Sequence, residues 1–237
     1  MKTSGAGSAI SSGAPPPVGY ADLHTHPRDD PDRAKSPDRF YAALLASGLK
    51  VAVLADHDRI DVAQELVARS REEKTSIELV VGEEITSRAG HLLGIGLSSR
   101  IPRGLSLLES VAAVHEQGAI AVVAHPLLPI WTAASEETLT FLAEGDPRSR
   151  PDALETMHPL AAWFPRWRRR VEALAERCGY AVVGGSDAHV ARSVGLGRTG
   201  FHGTTAADLF AAIRARETWA EGKRAPLRDA LRADRNR

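Results

Sequence analysis

The sequence contains a single cysteine, Cys178, among 237 residues. One thiol excludes an intramolecular disulfide and a metal site built from cysteines. The 30 basic and 30 acidic residues give a formal net charge of +0, so composition does not indicate a broad nucleic-acid-binding surface. No apolar run approaches the roughly 18 residues needed to cross a membrane. We therefore expect a soluble, cytoplasmic protein with no membrane partner.

The first 18 residues are rich in glycine, serine and proline, and Lys2 is not followed by an apolar segment. This composition predicts a disordered tail at 1–18 instead of a signal peptide. The remainder, 19–237, has the length expected of one domain with a full core.

From Tyr20 onward, short apolar runs alternate with helix-like stretches. After the first run, which carries "DLHTH", strand-like segments occupy 51–56, 77–85, 91–97, 119–125, 152–158 and 180–187. Helix-like segments occupy 36–48, 61–73, 106–118, 165–179 and 205–217, the first with Ser36 as N-cap, Pro37 at the first helical position and Gly48 as its stop. The alternation predicts an α/β fold with a parallel sheet, and about seven units favour a barrel over an open sheet. No GxGxxG or GxxxxGK[ST] loop opens a helix, which weakens a nucleotide-fold alternative.

Histidines and carboxylates end nearly every strand-like run. In a barrel, the carboxyl ends of the strands converge on one mouth, where active sites are built. Side chains far apart in sequence would therefore surround one volume, as a polynuclear metal site requires. The residues at these ends are His24, His26, Asp56, His57, Glu84, His125, His158, Asp187 and His189.

Two of these segments allow an inference about direction. Alternate side chains of a strand share a face, so Asp22, His24 and His26 should point the same way. Two imidazoles would bind one ion, with Asp22 orienting a ring from behind; taken alone, the pattern also fits a polar strand end. In "GEEIT", Glu83 and Glu84 point to opposite faces, and we assign Glu84 to the inner one, where a carboxylate can bridge two cations.

The motifs "DLHTH", "ADHD", "GEEIT…HLLG", "AHP" and "SDAH" occur in this order. The sequence resembles the PHP (polymerase and histidinol phosphatase) family of metal-dependent phosphoesterases from about Tyr20 to Phe201 and into "LGRTGF…DLFAAI". The resemblance implies a distorted seven-stranded, TIM-like (β/α)7 barrel, a single PHP-type domain at 19–237, and up to three divalent ions. It implies these ligand sets: His24, His26, Glu84 and Asp187 for the first ion; Glu84, His91 and His125 for the second; His57 and His189 for the third.

The third ion needs a further ligand shortly after "DLHTH". Family members commonly have an "SDG"-like turn there, whereas this chain has "PRDDPDR". We choose Asp30 for this ligand, with Asp29 and Asp32 as alternatives.

Ligands drawn from His, Asp and Glu favour Zn²⁺, Mn²⁺, Fe²⁺ or Co²⁺, two or three ions in all, whereas Ca²⁺ prefers oxygen ligands. Such ions lower the pKa of a bridging water from about 16 towards about 7, which gives a hydroxide nucleophile. No GxSxG motif is present to supply a serine instead. The expected catalytic residues are Glu84, Asp187 and His189.

Phosphate recognition requires cations besides the metals. Arg192 and Arg198 follow the last ligand motif and are the residues that we choose for substrate binding, although a surface role is the favoured interpretation of each arginine taken singly. His158 either lines the pocket or is a core histidine, and His115 and His202 are expected to be structural.

The densest basic cluster is "PRWRRR" at 165–170, with Trp163 and Trp167 in or beside it. It is compatible with contact to nucleic acid or to a phosphorylated substrate. A solvated helix face with a packed tryptophan is the interpretation that we favour.

Three functions are compatible with these residues. The first is hydrolysis of a small phosphate monoester, such as a nucleotide, a sugar phosphate or a biosynthetic intermediate. The second is a phosphodiesterase or a 3′ or 5′ exonuclease acting on oligonucleotide ends; neutral charge favours the first. The third is a non-catalytic metal-binding accessory domain, which the nearly complete ligand set argues against.

Overall fold

A computed structural model of the chain describes residues 17–28, 30, 38–129, 132–159 and 162–224. Positions 1–16 of the predicted tail lie outside the described residues, and so do the predicted cap residues Ser36 and Pro37. Val18 already belongs to the first strand.

The described residues form nine strands and six α-helices. The strands are β1 (Val18–Thr25), β2 (Val51–Leu54), β3 (Glu78–Ser87), β4 (Gly90–Ile95), β5 (Ile120–Val123), β6 (Ala153–Met157), β7 (Ala181–Gly184), β8 (Gly197–His202) and β9 (Trp219–Gly222). The helices are α1 (Arg39–Ala46), α2 (Asp61–Glu72), α3 (Leu107–Glu116), α4 (Glu136–Glu144), α5 (Pro165–Cys178) and α6 (Ala206–Ala215).

All nine strands join one sheet in the order β7-β6-β5-β4-β3-β2-β1-β8-β9. An isolated parallel bridge between Thr25 and Ala188 connects β1 with the chain after β7, so the sheet nearly closes into a barrel. The predicted α/β class is confirmed, but the predicted count of seven strands is wrong. The two additional strands, β8 and β9, read "GRTGFH" and "WAEG", which lack the β-branched apolar runs that identify a buried strand.

The sheet is mixed instead of fully parallel. β1, β2 and β3 pair in parallel, as do β5, β6 and β7. β4 is antiparallel to both β3 and β5, and β8 is antiparallel to β1. Only two residues separate β3 from β4, and a connection this short allows a hairpin but no helical crossover.

Five of the six helices occur where the sequence predicts them. α3 begins with a capping box, in which the Ser106 hydroxyl accepts from the Glu109 backbone N–H and the Glu109 carboxylate accepts from the Ser106 N–H. α1 ends at Ala46, and Gly48 follows with a φ of +74°. α4 was not predicted, although Ser135 caps it by accepting from the Thr138 N–H. None of the helices in the described ranges combines the length and apolarity needed to span a bilayer.

The barrel interior below the mouth is apolar. Leu23, Val53, Leu93, Val122 and Phe201 are buried in one cluster that α6 also joins. A second and a third cluster lie between the sheet and the outer helices. The strands therefore have apolar side chains on both faces, and the polar residues at their carboxyl ends lie directly above the apolar interior of the barrel.

His115 joins α3 to the loop before β6. Its Nε2 lies 3.0 Å from Asp152 Oδ2, and its Nδ1 lies 2.8 Å from the Arg148 carbonyl oxygen. Both partners are acceptors, so the doubly protonated ring satisfies both. The hydrogen bond to Asp152 raises the pKa of His115 above its ordinary value of 6.5, against the effect of burial.

This pair predicts a pH-dependent contribution to stability. Because the folded-state pKa is raised, the contribution should be complete below about pH 6.5 and should disappear as the pH rises through the folded-state value. We expect His115→Gln to lower the free energy of unfolding by about 1 kcal/mol in acid and by less in alkali. Urea denaturation of both proteins across this range measures the difference, and a difference independent of pH would exclude the protonated pair.

Candidate metal centre

The histidines and carboxylates predicted at the strand ends lie together at the mouth of the barrel. His24, Glu84 and His125 are fully buried, and Asp187 and His189 are nearly so. They come from β1, β3 and the loops after β5 and β7. The topology therefore gathers residues that are separated by up to 165 positions into one polar cluster.

Four residues surround one candidate ion position. His24 Nε2 lies 3.2 Å from Glu84 Oε2, and His26 Nε2 lies 2.9 Å from Asp187 Oδ1. The other two distances from a histidine nitrogen to a carboxylate oxygen, His24 to Asp187 and His26 to Glu84, are 3.5 and 3.4 Å. Ligand atoms held tetrahedrally at about 2.0–2.1 Å from one ion would lie about 3.4 Å apart. The spacing fits a single bound cation.

The second oxygen of Glu84 faces a different pair of imidazoles. Glu84 Oε1 lies 2.6 Å from His91 Nδ1 and 3.0 Å from His125 Nε2. Its two oxygens thus point to two separate sets of nitrogen atoms, which is the arrangement of a carboxylate that bridges two ions.

A third group contains His26, His57 and His189, whose ring nitrogens lie close enough to share an ion. The rings stack, with centroids 4.7 Å apart for His26 and His57 and 4.1 Å apart for His26 and His189. His57 Nδ1 also lies 3.1 Å from Glu84 Oε2, so His57 stands between two candidate positions.

The carboxylate expected for this third position is not among the grouped ligand atoms of the described residues. Asp30 is buried, at 5% exposure. The alternatives Asp29 and Asp32 lie outside the described residues. Asp30 therefore stays a prediction.

The cluster also contains buried polar atoms that form no hydrogen bond. Among the described residues, these include Nε2 of His24, Oε2 of Glu84 and Nε2 of His189. Buried polar atoms in proteins are almost always satisfied, so several exceptions in one place indicate a bound ligand. Imidazole nitrogens and carboxylate oxygens are the donor set of a borderline divalent cation, and the residues present fit such ions.

The electrostatics of the cluster hold its carboxylates ionised. Burial alone would raise the pKa of Glu84, but His57, His91 and His24 hold it well below its ordinary value. The pKa of Asp187 is also held well below its ordinary value, in spite of burial, by His24 and His189. Ionised carboxylates are the form that binds metal.

Two histidines of the cluster shift in opposite directions. Burial, helped by the neighbouring His189, lowers the pKa of His26 well below its ordinary value. Burial also disfavours charge on His24, but Glu84, Glu155 and Asp187 raise its pKa well above the ordinary value. A cation bound beside His24 would replace the proton that these three carboxylates otherwise attract.

Glu155 was not predicted from the sequence. It is 1% exposed in β6; its Oε1 lies 3.1 Å from His24 Nδ1, and its Oε2 accepts from the His125 backbone N–H at 2.8 Å. A carboxylate on the far nitrogen of a ligand histidine fixes the ring and its tautomer. The available signal was a glutamate in the middle of the strand-like run "DALETMH".

Asp22 differs from its prediction. Its carboxylate accepts from the backbone N–H groups of His24, Ser186 and Gly195 and orients no ring. The register of β1 against β2 shifts between Asp22 and Thr25, so side-chain alternation is interrupted and Asp22 no longer shares a face with His24. Burial raises the pKa of Asp22 to about 6, although its hydrogen bonds lower it.

Two residues of the cluster have left-handed backbone conformations. φ is +31° at His125 and +45° at Asp187, and both residues follow the end of a strand. Such conformations are unfavourable for residues other than glycine and occur where function requires a particular direction of the side chain.

The three predicted substrate-binding residues lie in different surroundings. His158 is buried, and its Nε2 lies 3.0 Å from Asp187 Oδ2, so its ring supports that carboxylate. Arg192 is exposed in a short 3₁₀ helix shortly after His189. Arg198 pairs with Glu221 at 2.9 Å and covers the Tyr20 ring at 3.9 Å. It lines a separate cavity of about 600 Å³ to which none of the clustered histidines contributes.

The chain matches known proteins along much of its length. Residues 165–218 match the family model PHP_C, described as PHP-associated. An uncharacterized protein of Methanocaldococcus jannaschii is 29% identical over 135 residues, or 53% of this chain and 78% of that protein. A 5′-3′ exoribonuclease of Haemophilus influenzae is 31% identical over 105 residues, or 43% of this chain but only 37% of that protein.

Solved structures share the fold at low sequence identity. PsfC from Pseudomonas syringae has a TM-score of 0.66 at 18% identity and covers 92% of this chain and 96% of its own. A two-domain protein of Bacteroides vulgatus, containing a predicted PHP-like metal-dependent phosphoesterase, has a TM-score of 0.60 at 20% identity and covers 87% and 65%. A lesion-specific endonuclease of Pyrococcus furiosus has a TM-score of 0.56 at 14% identity and covers 84% and 56%. These neighbours show that the fold is shared, and the PHP-associated match at 165–218 agrees with the family resemblance of the motifs.

Proposed function

We propose that this protein is a metal-dependent hydrolase of phosphate esters and that two or three divalent ions bind in the cluster around Glu84. The observation that carries this proposal is the position of Glu84, whose two oxygens face two separate sets of buried imidazoles. Hydrolysis by a polynuclear site needs two cations held a short distance apart, and a bridging carboxylate provides that spacing.

When bound, the ions would activate water and stabilise negative charge on the phosphoryl oxygens. The protein supplies the charge and geometry for this chemistry. Asp187 and Glu84 bring buried negative charge to the first position, and His158 holds the second oxygen of Asp187. His189 Nδ1 lies 3.0 Å from the Asp187 carbonyl oxygen, and its buried Nε2 forms no hydrogen bond among the described residues.

A small phosphate monoester is the simplest substrate for such a centre. Arg192 follows Asp187 and His189 by only a few residues and is exposed, so it is the candidate contact for the rest of the substrate. Arg198 is less suited to that role because it lines a separate cavity to which none of the clustered histidines contributes. Among the possible ions, Zn²⁺ and Mn²⁺ are our first choices for this donor set.

The second candidate is hydrolysis at the ends of oligonucleotides. The similarity to a protein named as a 5′-3′ exoribonuclease favours it. An accessory domain without activity would be expected to lack ligands, whereas eight of the nine predicted ligand residues lie in the cluster or on its carboxylates.

A substrate panel tests the proposal. We expect the purified protein with Mn²⁺ to release phosphate from p-nitrophenyl phosphate, mononucleotides or sugar phosphates, and His24→Ala together with Asp187→Ala to abolish the release. Bis-p-nitrophenyl phosphate and a short single-stranded RNA test the diester alternative. A protein that binds metal but hydrolyses no member of the panel would contradict the proposed function and favour the accessory interpretation.

A further inference from the structure

An exposed aromatic surface lies beside the mouth of the barrel. Trp163 is 40% exposed and Phe164 is 57% exposed, on the loop that leads from β6 to α5. Large aromatic side chains are usually buried, so two adjacent exposed ones indicate a binding surface. We call Trp163, Phe164, Arg166, Arg169 and Arg224 the rim surface.

The chain places this surface close to the metal centre. His158, which supports Asp187, precedes Trp163 by five residues, a distance of at most about 17 Å along the chain. Trp167 Nε1 donates to the Pro126 carbonyl oxygen at 2.9 Å, so the first turn of α5 is held against the loop that carries His125. The packed tryptophan expected from the sequence is therefore Trp167, whereas Trp163 remains at the surface.

The basic residues of the cluster divide into paired and unpaired ones. Arg168 pairs with Glu172 and Arg170 with Glu136. Arg166 and Arg169 are exposed, and neither pairs with a carboxylate in the described part of the chain. They are three positions apart and so lie on the same side of α5.

Arg224 adds a third cation to the aromatic residues. Its guanidinium lies 4.9 Å from the centre of the Trp163 ring, and its Nε donates to the Ala162 carbonyl oxygen at 3.1 Å. The rim surface thus combines two aromatic rings with three positive charges next to a phosphoesterase centre.

We propose that the rim surface binds single-stranded nucleic acid, with bases stacked on Trp163 and Phe164 and phosphates beside Arg166 and Arg169. Aromatic platforms interleaved with cations are the common means of binding single strands. A mononucleotide with its phosphate at the metals has no further phosphate for these two arginines, so the charges favour an oligonucleotide. The inference rests on the proposed function and makes oligonucleotide ends its substrate class.

Binding can be measured without turnover. Fluorescence anisotropy in EDTA would follow a labelled single-stranded RNA of about eight nucleotides and a DNA of the same sequence. We expect Trp163→Ala and Phe164→Ala each to weaken binding about tenfold. Arg166→Gln and Arg169→Gln should each reduce the slope of log K against log salt by about 0.7.

Matched controls lie on other helices. Phe141→Ala removes another exposed aromatic side chain, 66% exposed on α4, and Arg71→Gln removes an exposed arginine in the last turn of α2. Both should bind the RNA like the wild type. Equal losses in control and rim variants, or no binding by the wild type, would overturn the inference.

The remaining outcomes separate this inference from the function on which it rests. Hydrolysis of p-nitrophenyl phosphate without RNA binding would leave the proposed function standing and reject the rim surface. RNA binding without hydrolysis of any ester would support the surface and reject the function. If adenosine monophosphate competed as strongly as the RNA, an oligonucleotide would be rejected as the ligand of the rim surface. The same conclusion would follow if the protein bound no RNA and formed a dimer that Phe164→Ala dissociates.

Discussion

Glu84→Gln is expected to reduce phosphate release on the order of 10³-fold or more, with loss of bound metal. Both oxygens of this carboxylate face imidazoles, two on one side and His24, His26 and His57 on the other. Glutamine keeps the shape but removes the negative charge and leaves an amide group that cannot bridge two cations. Metal content per chain and the rate of phosphate release, measured on the same preparation, test this result.

The neighbouring Glu83 offers a matched control. It is fully buried on the opposite face of β3, where its Oε2 accepts from the Ile101 N–H at 2.8 Å, and burial raises its pKa to about 7. Glu83→Gln resembles the protonated form and should retain metal and activity. If Glu84→Gln and Glu83→Gln behaved alike, the central role of Glu84 would be refuted.

Glu155→Ala is expected to weaken metal binding by about 10- to 100-fold, although the substitution removes none of the predicted ligand residues. Glu155 acts through other residues, because it holds the His24 ring and the His125 backbone. Glu155→Gln keeps one acceptor and should lie between the alanine variant and the wild type. Isothermal titration with Mn²⁺ gives the affinities.

A positioning role for Glu155 can be distinguished from a general loss of stability. If it positions ligands, a high concentration of Mn²⁺ should restore most of the turnover of Glu155→Ala, since the ligands remain. Loss of fold would leave the activity low at any metal concentration. Glu221→Ala, which removes a carboxylate from β9 outside the cluster, is the control that should bind metal normally. If Glu155→Ala bound Mn²⁺ with the affinity of the wild type, Glu155 would have no role in positioning the ligands.

The sequence predicts the site better than it predicts the sheet. His24 lies near the end of β1, Glu84 lies within β3 three residues before its end, and Asp187 follows β7. The carboxyl ends of strands converge in any barrel, so the cluster depends little on strand count. β8 and β9 were missed because Gly197, Gly200 and Trp219 obscure the pattern of a buried strand. Close approach of neighbouring chain explains the two glycines: a Cβ on Gly197 would meet the Gly185 carbonyl oxygen, and one on Gly200 would meet the Trp219 ring.

Two features of the site depend on three-dimensional contacts that periodicity does not encode. The register shift in β1 changes the face of the strand on which the Asp22 side chain lies, and the shift is visible only in the pairing of β1 with β2. Glu155 occupies an inward position of β6, but its role comes from His24, which is 131 positions away. The choice of Asp30 as a ligand is uncertain from sequence because "PRDDPDR" replaces the usual family turn. The alternative ligands, Asp29 and Asp32, lie outside the described residues.

The most direct test is phosphate release from p-nitrophenyl phosphate during stepwise addition of Mn²⁺ to chelator-treated protein. A bridged centre around Glu84 predicts no release without metal and full activity only when at least two ions are bound per chain. Undiminished release from metal-free protein, or full activity at one ion per chain, would contradict the account.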